Sequence, residues 1–516
     1  MPVDLNNLPD DAKALQKMVV DLTAQLDRET TERSKLEALI RELIDAKRNR
    51  KSEKLSKEQL ALFEAAWQAK TEQEAQDTPN DQDADSGAAA GEESKPETKK
   101  RPARQPLARN VKRERIVHDL SSGQKHCCQC DQDLRPVGAD TSERYEYIPA
   151  SLKVVEDVCL KYACECTIHT ATKPPQPIEK STAGASLLAQ VIVAKFLDHL
   201  PLHRQQQIFQ RHGVDLSRKT MGGWMAQCAV LLGPLWDCAK QYLFQSCVIG
   251  TDDTSVKVLD PRLDFARIGR MWPYVGERDH PVVVFDYTAT RARAGPAKFL
   301  EGYKGNLQAD AYSVYDAFFR PLRGMNEVGC WMHARRYFYK ARESDPGRMG
   351  PALFLISQLY RVESKIRGLD ASQRLTIRQL ESKPVMDKLH VWLLQIKPEV
   401  LPKSPEGAAV RYTLNQWVAL NRYLSDGNLE IDNGEAERAN RSVAVGRGNW
   451  TFFGSDNGGR TAAVLMTFAA SCKRAGVEPF AWFNDVLSRI PEHPITRLAE
   501  LLPHNWKPVE TASVHA

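Results

Sequence analysis

Two short apolar runs in the middle of the chain each lead into an aspartate. The run VIG at 248–250 precedes Asp252, and the run LQA at 307–309 precedes Asp310. Short apolar runs of this kind are typical of buried β-strands. Carboxylates at the ends of neighbouring strands project from one edge of a sheet. This feature therefore favours an α/β fold in which two acids meet at a sheet edge.

A third acid, Glu437, lies in the segment EIDNGEAERANRS at 430–442. Three converging carboxylates make a magnesium site, because Mg²⁺ prefers oxygen ligands and needs only one or two protein carboxylates per ion beside phosphate oxygens. Two such ions, about 3.5–4 Å apart, stabilise the attacking and leaving oxygens of an in-line displacement at phosphorus. The pattern predicts a two-magnesium site for phosphodiester cleavage or transfer, with Asp252, Asp310 and Glu437 as ligands.

The intervals between the acids predict the rest of this domain. Two further strands, MWPYVG at 271–276 and HPVVVFDYTA at 280–289, fit between the two aspartates. The stretch from the second aspartate to the glutamate is much longer. Its surplus, about 340–425, carries Leu, Gln, Arg and Glu at helical spacing, as in ALFLISQLYRVESKI and MDKLHVWLLQI. We expect a helical insertion there.

Several longer motifs closely resemble transposases of the insertion sequence 66 family, which are DDE enzymes. The resemblance extends from about residue 15 to about residue 507 and implies a ribonuclease-H-like core interrupted by a helical block before the glutamate. The motifs are PPQPIEK (174–180), HLPLHRQQQIFQRHGVDLSR (199–218), LQADAY (307–312), CWMHARR (330–336) and IDNGEAERANRSVAVGRGNWTFFGSDNGGRTAA (431–463).

The resemblance assigns the family's three acids to the same three residues. Strand alternation turns either Asp252 or its neighbour Asp253 away from the site, and the family's usual Asp-Glu-Thr or Asp-Asp-Thr favours Asp252. Glu430 and Glu435 remain alternatives for the third acid. The family commonly has Asp-Asn-Asn where this chain has Asp-Asn-Gly at 432–434, which predicts a looser start of the helix.

Basic residues near these acids predict contacts with DNA phosphates, whose neutralisation supplies most sequence-independent affinity. In CWMHARRYFYKAR, His333 and Arg336 share a helical face with Lys340. The alternatives are a solvated charged face with pairs such as Glu437 and Arg441, and a core or surface role for the histidine. The residues predicted around the glutamate are Arg438, Arg441, Arg447 and either Lys473 or Arg474.

The chain has 11 cysteines and no basic-then-apolar signal at its start. We therefore expect reduced or metal-bound thiols in a bacterial cytoplasm, where the protein associates with the nucleoid. A C-x-x-C and a later C-x-C predict a structural zinc site in a small zinc-ribbon-like module. Its ligands are Cys127, Cys130, Cys164 and Cys166, with Cys128, Cys159 or His169 as replacements and free buried cysteines as the alternative.

The N-terminal third has a strongly uneven composition. Apolar residues in one a/d register between Leu15 and Leu43 predict a coiled coil that pairs protomers, with an amphipathic helix packed on its own chain as the alternative. Residues 70–98 are acidic and poor in large apolar side chains, which is typical of a disordered linker. The strip at 99–115 has eight Lys or Arg against one Glu and predicts contact with a DNA backbone.

Residues 200–226 predict a helix, a turn at Gly213 and a second helix capped by Ser217. This suits a helix-turn-helix with Arg218 and Lys219 at the start of a groove-facing helix, although a plain helical hairpin gives the same pattern. The apolar run at 186–197 is too short to span a bilayer, so no membrane segment is expected.

Together these features predict a multidomain α/β DNA transposase that acts on the terminal inverted repeats of its own element and on target DNA. The resemblance adds that such elements often encode two small accessory proteins. The alternatives are a catalytically silent DNA-binding or end-bridging protein and a metal-dependent nuclease without transfer activity. The expected regions are 1–66 (coiled coil and helical DNA-binding module), 67–98 (linker), 99–172 (basic strip and zinc module), 173–240 (helix-turn-helix-like), 241–478 (catalytic core with its insertion) and 479–516 (C-terminal helices and tail).

Overall fold

The structure is a computed structural model that describes residues 175–319 and 324–508. It also describes the backbone of 161–163 and 168–170 and a few earlier positions (23, 61, 152 and 154–157). The described residues from 161 onwards belong to one compact unit, and residues 152 and 154–157 belong to a second. The fold is mixed α/β, with a central sheet and many helices.

A small antiparallel pair of strands precedes the main sheet. These are β1 (Lys161–Ala163) and β2 (Ile168–Thr170), with Tyr162 opposite His169. Apart from position 23, the predicted coiled coil lies outside the described residues, as do the acidic linker, the basic strip and the four predicted zinc ligands.

In the part of the chain that the structure describes, the main sheet has seven strands. The strands predicted at 271–276 and 280–289 are confirmed as β5 and β6. The strands are β3 (Val248–Thr251), β4 (Thr254–Val258), β5 (Arg267–Val275), β6 (Val283–Thr288), β7 (Asn306–Gln308), β8 (Asn326–Val328) and β9 (Phe452–Phe453).

The pairing pattern orders these strands around β3. β4 continues β3 past two aspartates, because both strands pair with β5 in one antiparallel register, Thr251 opposite Tyr274 and Thr254 opposite Met271. β6 pairs with the other edge of β5, also antiparallel. On the opposite side, β7 is parallel to β3 and β8 is parallel to β7. The order across the sheet is therefore β6, β5, β3, β7, β8, with β9 parallel beside β4.

In the described range from residue 175 onwards, four helices precede the sheet: α1 (Ala185–Phe196), α2 (Leu202–Arg211), α3 (Arg218–Leu231) and α4 (Gly233–Leu243). Gly213 turns the chain between α2 and α3 with φ at 78°, a left-handed conformation that suits glycine. The predicted cap at Ser217 is confirmed, since its side chain accepts a hydrogen bond from the Thr220 amide.

The stretch between β8 and the segment of Glu437 is helical where it is described. Its apolar side chains form a core of their own that includes Trp331, Leu355 and Trp392. A short helix, α5 (Ala294–Phe299), lies earlier, after β6. The helices of the stretch itself are α6 (Trp331–Ala341), α7 (Pro346–Lys365), α8 (Ala371–Ile377), α9 (Lys383–Ile396), α10 (Pro405–Asn415) and α11 (Trp417–Asn421).

The last helices are α12 (Gly434–Trp450), α13 (Asp456–Ala475), α14 (Pro479–Arg489) and a 3₁₀ helix at Ile495–Leu501. α13 covers the free edge of β6, where Thr467 Oγ1 accepts the Phe285 amide and Ser471 Oγ accepts the Val283 amide. The edge strand is thereby protected from pairing with another chain. Within the described part of the chain, every helix is too short or too polar to cross a lipid bilayer.

Candidate active site

Asp252 and Asp310 lie at matching positions on two parallel strands. β3 and β7 pair with Gly250 opposite Gln308. Continuing that register by two residues brings Asp252 opposite Asp310 at the carboxyl ends of both strands. Residues that lie opposite each other on paired strands point to the same face of the sheet. Both carboxylates therefore project from the same face, at the ends of β3 and β7. The structure therefore brings the two predicted aspartates together.

The neighbouring Asp253 has a different environment. Its side chain is 3% exposed and accepts hydrogen bonds from Arg270 Nη1 at 2.9 Å and from Arg291 Nη2 at 2.6 Å. The Arg291 guanidinium also stacks on the ring of Tyr312, 3.6 Å from its centroid. Asp253 is thus engaged in a buried ion pair, which leaves Asp252 as the acid that faces the sheet edge.

Asn433 fixes the start of α12 to the sheet, and Asp432 fixes it to α7. Asn433 Nδ2 donates to the Thr251 carbonyl at 2.6 Å, and a Cβ on Gly250 would meet Asn433 Oδ1 at 2.7 Å. Asp432 accepts the Gly434 amide through Oδ1 and the Tyr360 hydroxyl through Oδ2. These contacts carry the first turn of α12, and with it Glu437, to the ends of β3 and β7.

Glu437 faces two basic side chains of α6. Its Oε1 lies 3.6 Å from His333 Nε2, and its Oε2 lies 3.5 Å from Arg336 Nη2. Burial raises the pKa of Glu437, and Asp252 raises it further, whereas His333 and Arg336 oppose the shift. Two residues predicted to contact DNA therefore lie beside the third predicted acid.

The pKa of Asp310 is also raised. Burial is the main cause, and the charge of Asp252 adds to it. Because Asp252 acts on both Asp310 and Glu437, the three acids share one electrostatic environment. Mutual repulsion of this kind is relieved when a cation binds between the carboxylates.

The two alternatives for the third acid are paired elsewhere. Glu435 accepts hydrogen bonds from Arg438 at 2.6 Å and from Arg474 at 3.0 Å, and Glu430 pairs with Arg374 at 3.0 Å. All five residues line one cavity of about 750 Å³. Because both alternatives are paired with arginines, whereas Asp252 raises the pKa of Glu437, the geometry favours Glu437.

The remaining predicted basic residues fall into two groups. Arg218, Lys219 and Arg441 are exposed, the first two at the start of α3. Arg447 is not free, because its Nη1 donates to Thr254 Oγ1 at 2.9 Å and to the Ser255 carbonyl at 2.6 Å. It ties α12 to β4, a structural contact that its sequence context does not reveal.

Sequence reasoning missed Asn440, one turn after Glu437 on α12. The side chain is buried, and its Nδ2 donates to Asp252 Oδ2 at 3.0 Å. Residues three apart on a helix share a face, so the spacing of Glu437 and Asn440 was an available signal. Arg270 and Arg291 were also missed, and nothing near them in sequence points to Asp253.

The fit of this site to a cation can be tested on its acceptors. Glu437 Oε1 and Asn440 Oδ1 are buried and have no hydrogen-bond partner among the described residues. Buried acceptors normally have a partner, and a divalent cation would supply one. The ligand oxygens of Asp252, Asp310 and Glu437 are not all within 4.8 Å of one another. Among the described residues, the side chains of Cys330, His333 and Glu437 do meet this distance. Two ions held pairwise by the acids do not require that single convergence.

The site lies in a mixed α/β protein that gathers three carboxylates at the edge of its central sheet. The sequence matches the model described as Transposase IS66 family over residues 180–461, the IS66 C-terminal element over 467–504 and the zinc-finger binding domain of transposase IS66 over 124–167. The chain belongs to the IS66 transposase family. The family and its zinc-finger domain imply that DNA is the partner.

Two relatives from Sinorhizobium fredii (strain NBRC 101917 / NGR234) match most of the chain. The protein y4hP is 33% identical over 437 residues, which cover 80% of this chain and 78% of that protein. The protein y4jD is 33% identical over 430 residues, which cover 78% and 83%. Both are described as uncharacterised.

The zinc-finger match accounts for the cysteines that the structure does not describe. It contains Cys127, Cys128, Cys130, Cys159, Cys164 and Cys166. The other five cysteines of the chain are described and free. The match indicates that the protein binds zinc, and it ends before His169. The exact ligand set stays a prediction.

Proposed function

We propose that the protein is a DDE transposase that binds the terminal inverted repeats of its own element and catalyses Mg²⁺-dependent strand cleavage and strand transfer. One observation carries the proposal. Asp252 and Asp310 are directly opposite each other at the ends of two paired parallel strands, and α12 brings Glu437 to the same sheet edge. The pKa of Asp310 and that of Glu437 are both raised, by burial and by the charge of Asp252, which supports a cluster of acids that a cation would stabilise.

The order of the strands supports a ribonuclease-H-like core. β3, with its continuation β4, and then β5 and β6 come first along the chain and pair antiparallel. β7 and β8 follow, parallel to β3, on the side of β3 that is away from β5. The first acid follows the central strand β3, and the second follows its neighbour β7. The helices between α6 and α12 are then the insertion that precedes the glutamate.

Asp252, Asp310 and Glu437 would be the protein ligands of two magnesium ions. When bound, such ions activate the attacking water or 3′-hydroxyl and stabilise the leaving oxygen. The chain's own residues orient the carboxylates: Asn440 holds Oδ2 of Asp252, and Arg270 and Arg291 fix the adjacent Asp253. Such prior orientation lets the acids act without rearrangement.

DNA contacts are proposed on two surfaces. Arg218 and Lys219, exposed at the start of α3, suit a helix that approaches a groove or a phosphate backbone. Arg438, Arg441 and Arg336 form the basic rim nearest the acids. Arg336 is near Glu437, and Arg438 is paired with Glu435. Arg447 acts instead through β4.

The N-terminal and zinc regions complete the proposal. The coiled coil predicted within residues 1–66 would hold two protomers, and hence two element ends, together. A zinc ion held by Cys127, Cys130, Cys164 and Cys166 would be structural, because four protein ligands leave no open position for water. Two small accessory proteins of the same element remain expected partners.

The test uses purified full-length protein and a labelled duplex that carries the element's terminal repeat, together with a target plasmid. Joining is measured with Mg²⁺ and with EDTA. Asp310→Ala is the test variant and Glu435→Gln is the matched control, because Glu435 lies on α12 but is paired with arginines. We expect magnesium-dependent joining by the wild type and the control and none by Asp310→Ala.

Other outcomes select a different function. Cleavage without joining would favour the nuclease, or a requirement for the accessory proteins. Binding without cleavage would favour a silent end-bridging protein. Undiminished joining by Asp310→Ala would remove that residue from the site.

A further inference from the structure

Cys330 lies in line with the two aspartates of the sheet edge. β7 and β8 are parallel, with Gln308 opposite Val328. Continuing that register by two residues puts Cys330 opposite Asp310, as Asp310 is opposite Asp252. Cys330 is 1% exposed and occupies the N-cap position of α6, and its Sγ accepts the backbone amide of Asn433 at 3.3 Å. A thiol therefore follows the third parallel strand where the first two strands end in acids.

This thiol has two further ligand-type side chains beside it. Cys330 Sγ, a ring nitrogen of His333 and a carboxylate oxygen of Glu437 all lie within 4.8 Å of one another. His333 Nδ1 and Glu437 Oε1 are both buried and have no hydrogen-bond partner among the described residues. Two of the three side chains thus hold an unused buried atom.

Sulfur, imidazole nitrogen and carboxylate oxygen are a poor ligand set for Mg²⁺, which takes oxygen ligands. They suit Zn²⁺, which binds Cys sulfur at about 2.3 Å and His nitrogen at about 2.0–2.1 Å in tetrahedral sites. Ligands at those lengths lie roughly 3.5 Å apart around one ion, so side-chain shifts of about 1 Å would close this cluster around it. Three protein ligands leave a fourth position open.

We propose that Cys330, His333 and Glu437 form an inhibitory site for a thiophilic divalent cation such as Zn²⁺. Binding forms a metal–sulfur bond and releases the thiol proton to solvent. It also directs the Glu437 carboxylate towards His333 and Cys330 and away from the acids on β3 and β7. The inhibitory role rests on the proposed function of Glu437, whereas the binding site does not.

Binding is tested without reference to activity. Full-length protein is first given one equivalent of Zn²⁺, which the four-ligand zinc-finger domain takes up ahead of a three-ligand site. It is then titrated with Co²⁺, which does not readily displace zinc from the zinc-finger domain. We expect a thiolate-to-cobalt absorption band from one further equivalent. Cys330→Ser should abolish the band, because serine keeps an acceptor for the Asn433 amide but offers no thiolate.

Cys472→Ser is the matched control, because Cys472 is also fully buried and lies on α13. It should keep the band. His333→Ala is a second variant, in which cobalt affinity should fall at least about tenfold. A band that survives in Cys330→Ser, or no band in the wild type, would overturn the site.

Inhibition is tested in the joining assay with Mg²⁺ in excess and added Zn²⁺. The wild type should lose joining, and Cys330→Ser should keep magnesium-dependent joining with at least about tenfold lower sensitivity to zinc. Equal inhibition of both proteins would refute the inhibitory role. If the wild type fails to join with Mg²⁺ alone, the proposed function fails while the cobalt titration still decides the site.

Discussion

The two faces of α12 carry glutamates two residues apart in opposite environments. Glu435 accepts close hydrogen bonds from two arginines, and although burial opposes the effect, these pairs lower its pKa. The described basic neighbours of Glu437, His333 and Arg336, lie 3.6 and 3.5 Å away, and burial together with nearby acids raises the pKa of Glu437. One helix therefore holds one carboxylate whose charge is satisfied and another whose charge is not.

The same contrast occurs at the end of β3. Asp253 is buried between Arg270 and Arg291, whereas Asp252 receives a hydrogen bond from the neutral side chain of Asn440. Acids that accept close hydrogen bonds from arginines hold the fold together, whereas Asp252 and Glu437 lack such bonds among the described residues and suit a cation. A carboxylate's partners, rather than its proximity to the sheet edge, thus separate structural from candidate catalytic acids.

The largest expected effect comes from replacing each of the two glutamates of α12 by glutamine in separate variants. Glu437→Gln should reduce strand joining at least about 1,000-fold, equivalent to about 4 kcal/mol in the barrier, because it removes a charged metal ligand. Glu435→Gln should change joining less than about threefold, since it removes a largely exposed ion pair. Joining rates and terminal-repeat binding of both variants are measured side by side.

A result in which both variants lose joining equally would end the distinction between the faces of α12. Loss of repeat binding by Glu437→Gln alone would instead give that residue a role in DNA contact. We expect repeat binding to stay within about twofold of the wild type in both variants, because neither change removes a basic group.

The second effect tests the two arginines, Arg270 and Arg291, that hydrogen-bond to Asp253. Arg291→Ala should leave that buried carboxylate with Arg270 alone and remove the stacking on Tyr312, which follows Asp310 by two residues. The ends of β3 and β7 would lose a direct link, and joining should fall about 50-fold. Because lysine lacks the planar fork, Arg291→Lys should restore only part of the rate.

The measurement is the joining rate over a range of Mg²⁺ concentrations. A positioning role predicts that more Mg²⁺ is needed for half-maximal joining, whereas simple destabilisation predicts a lower rate at unchanged Mg²⁺ dependence. Full recovery in Arg291→Lys would show that only the charge matters.

Much of this site was accessible from sequence, for identifiable reasons. Asp252 and Asp310 are recognisable because the strands before them are short, apolar and bounded by polar residues. The insertion is recognisable because helical periodicity persists for many turns. Periodicity alone could not decide between Asp252 and Asp253, because strand alternation predicts only that their side chains point to opposite faces of the sheet.

What decides that choice is contact with residues distant in sequence. Arg270 lies on β5, and Arg291 lies in the turn after β6, so their meeting at Asp253 depends on how the strands pair. The structural role of Arg447 is hidden in the same way, because it depends on α12 lying across β4. Long-range pairing of this kind carries no local signature.

The third effect concerns a largely buried acid that has no arginine partner at hydrogen-bond distance among the described residues. Burial raises the pKa of Asp286, on β6, to about 6. The folded state therefore holds this proton more tightly than the unfolded state does. The resulting stability is fully present below about pH 4 and is lost as the pH rises through about 6.

Asp286→Asn mimics the neutral form and keeps an acceptor for the Tyr287 amide. It should stabilise the protein at pH 8 by about 2 kcal/mol and flatten the dependence between pH 4 and 6. Thermal unfolding across that range is the measurement, with the exposed Asp264→Asn as control. An unchanged pH profile in Asp286→Asn would show that the burial of this carboxyl does not govern it.

The smallest effect tests the neutral partner of Asp252. Asn440→Ala removes the hydrogen bond at 3.0 Å from Nδ2 to Asp252 Oδ2 but leaves the acid's charge intact. One such bond contributes about 1 kcal/mol, so joining should fall roughly fivefold. The matched change Asn449→Ala, near the end of α12, removes an amide whose Nδ2 donates at 3.4 Å to the Val445 carbonyl and should leave the joining rate unchanged. If Asn440→Ala were as damaging as Glu437→Gln, Asn440 would itself hold the cation through its unpartnered Oδ1, and neutral and acidic residues of α12 would contribute equally to the site.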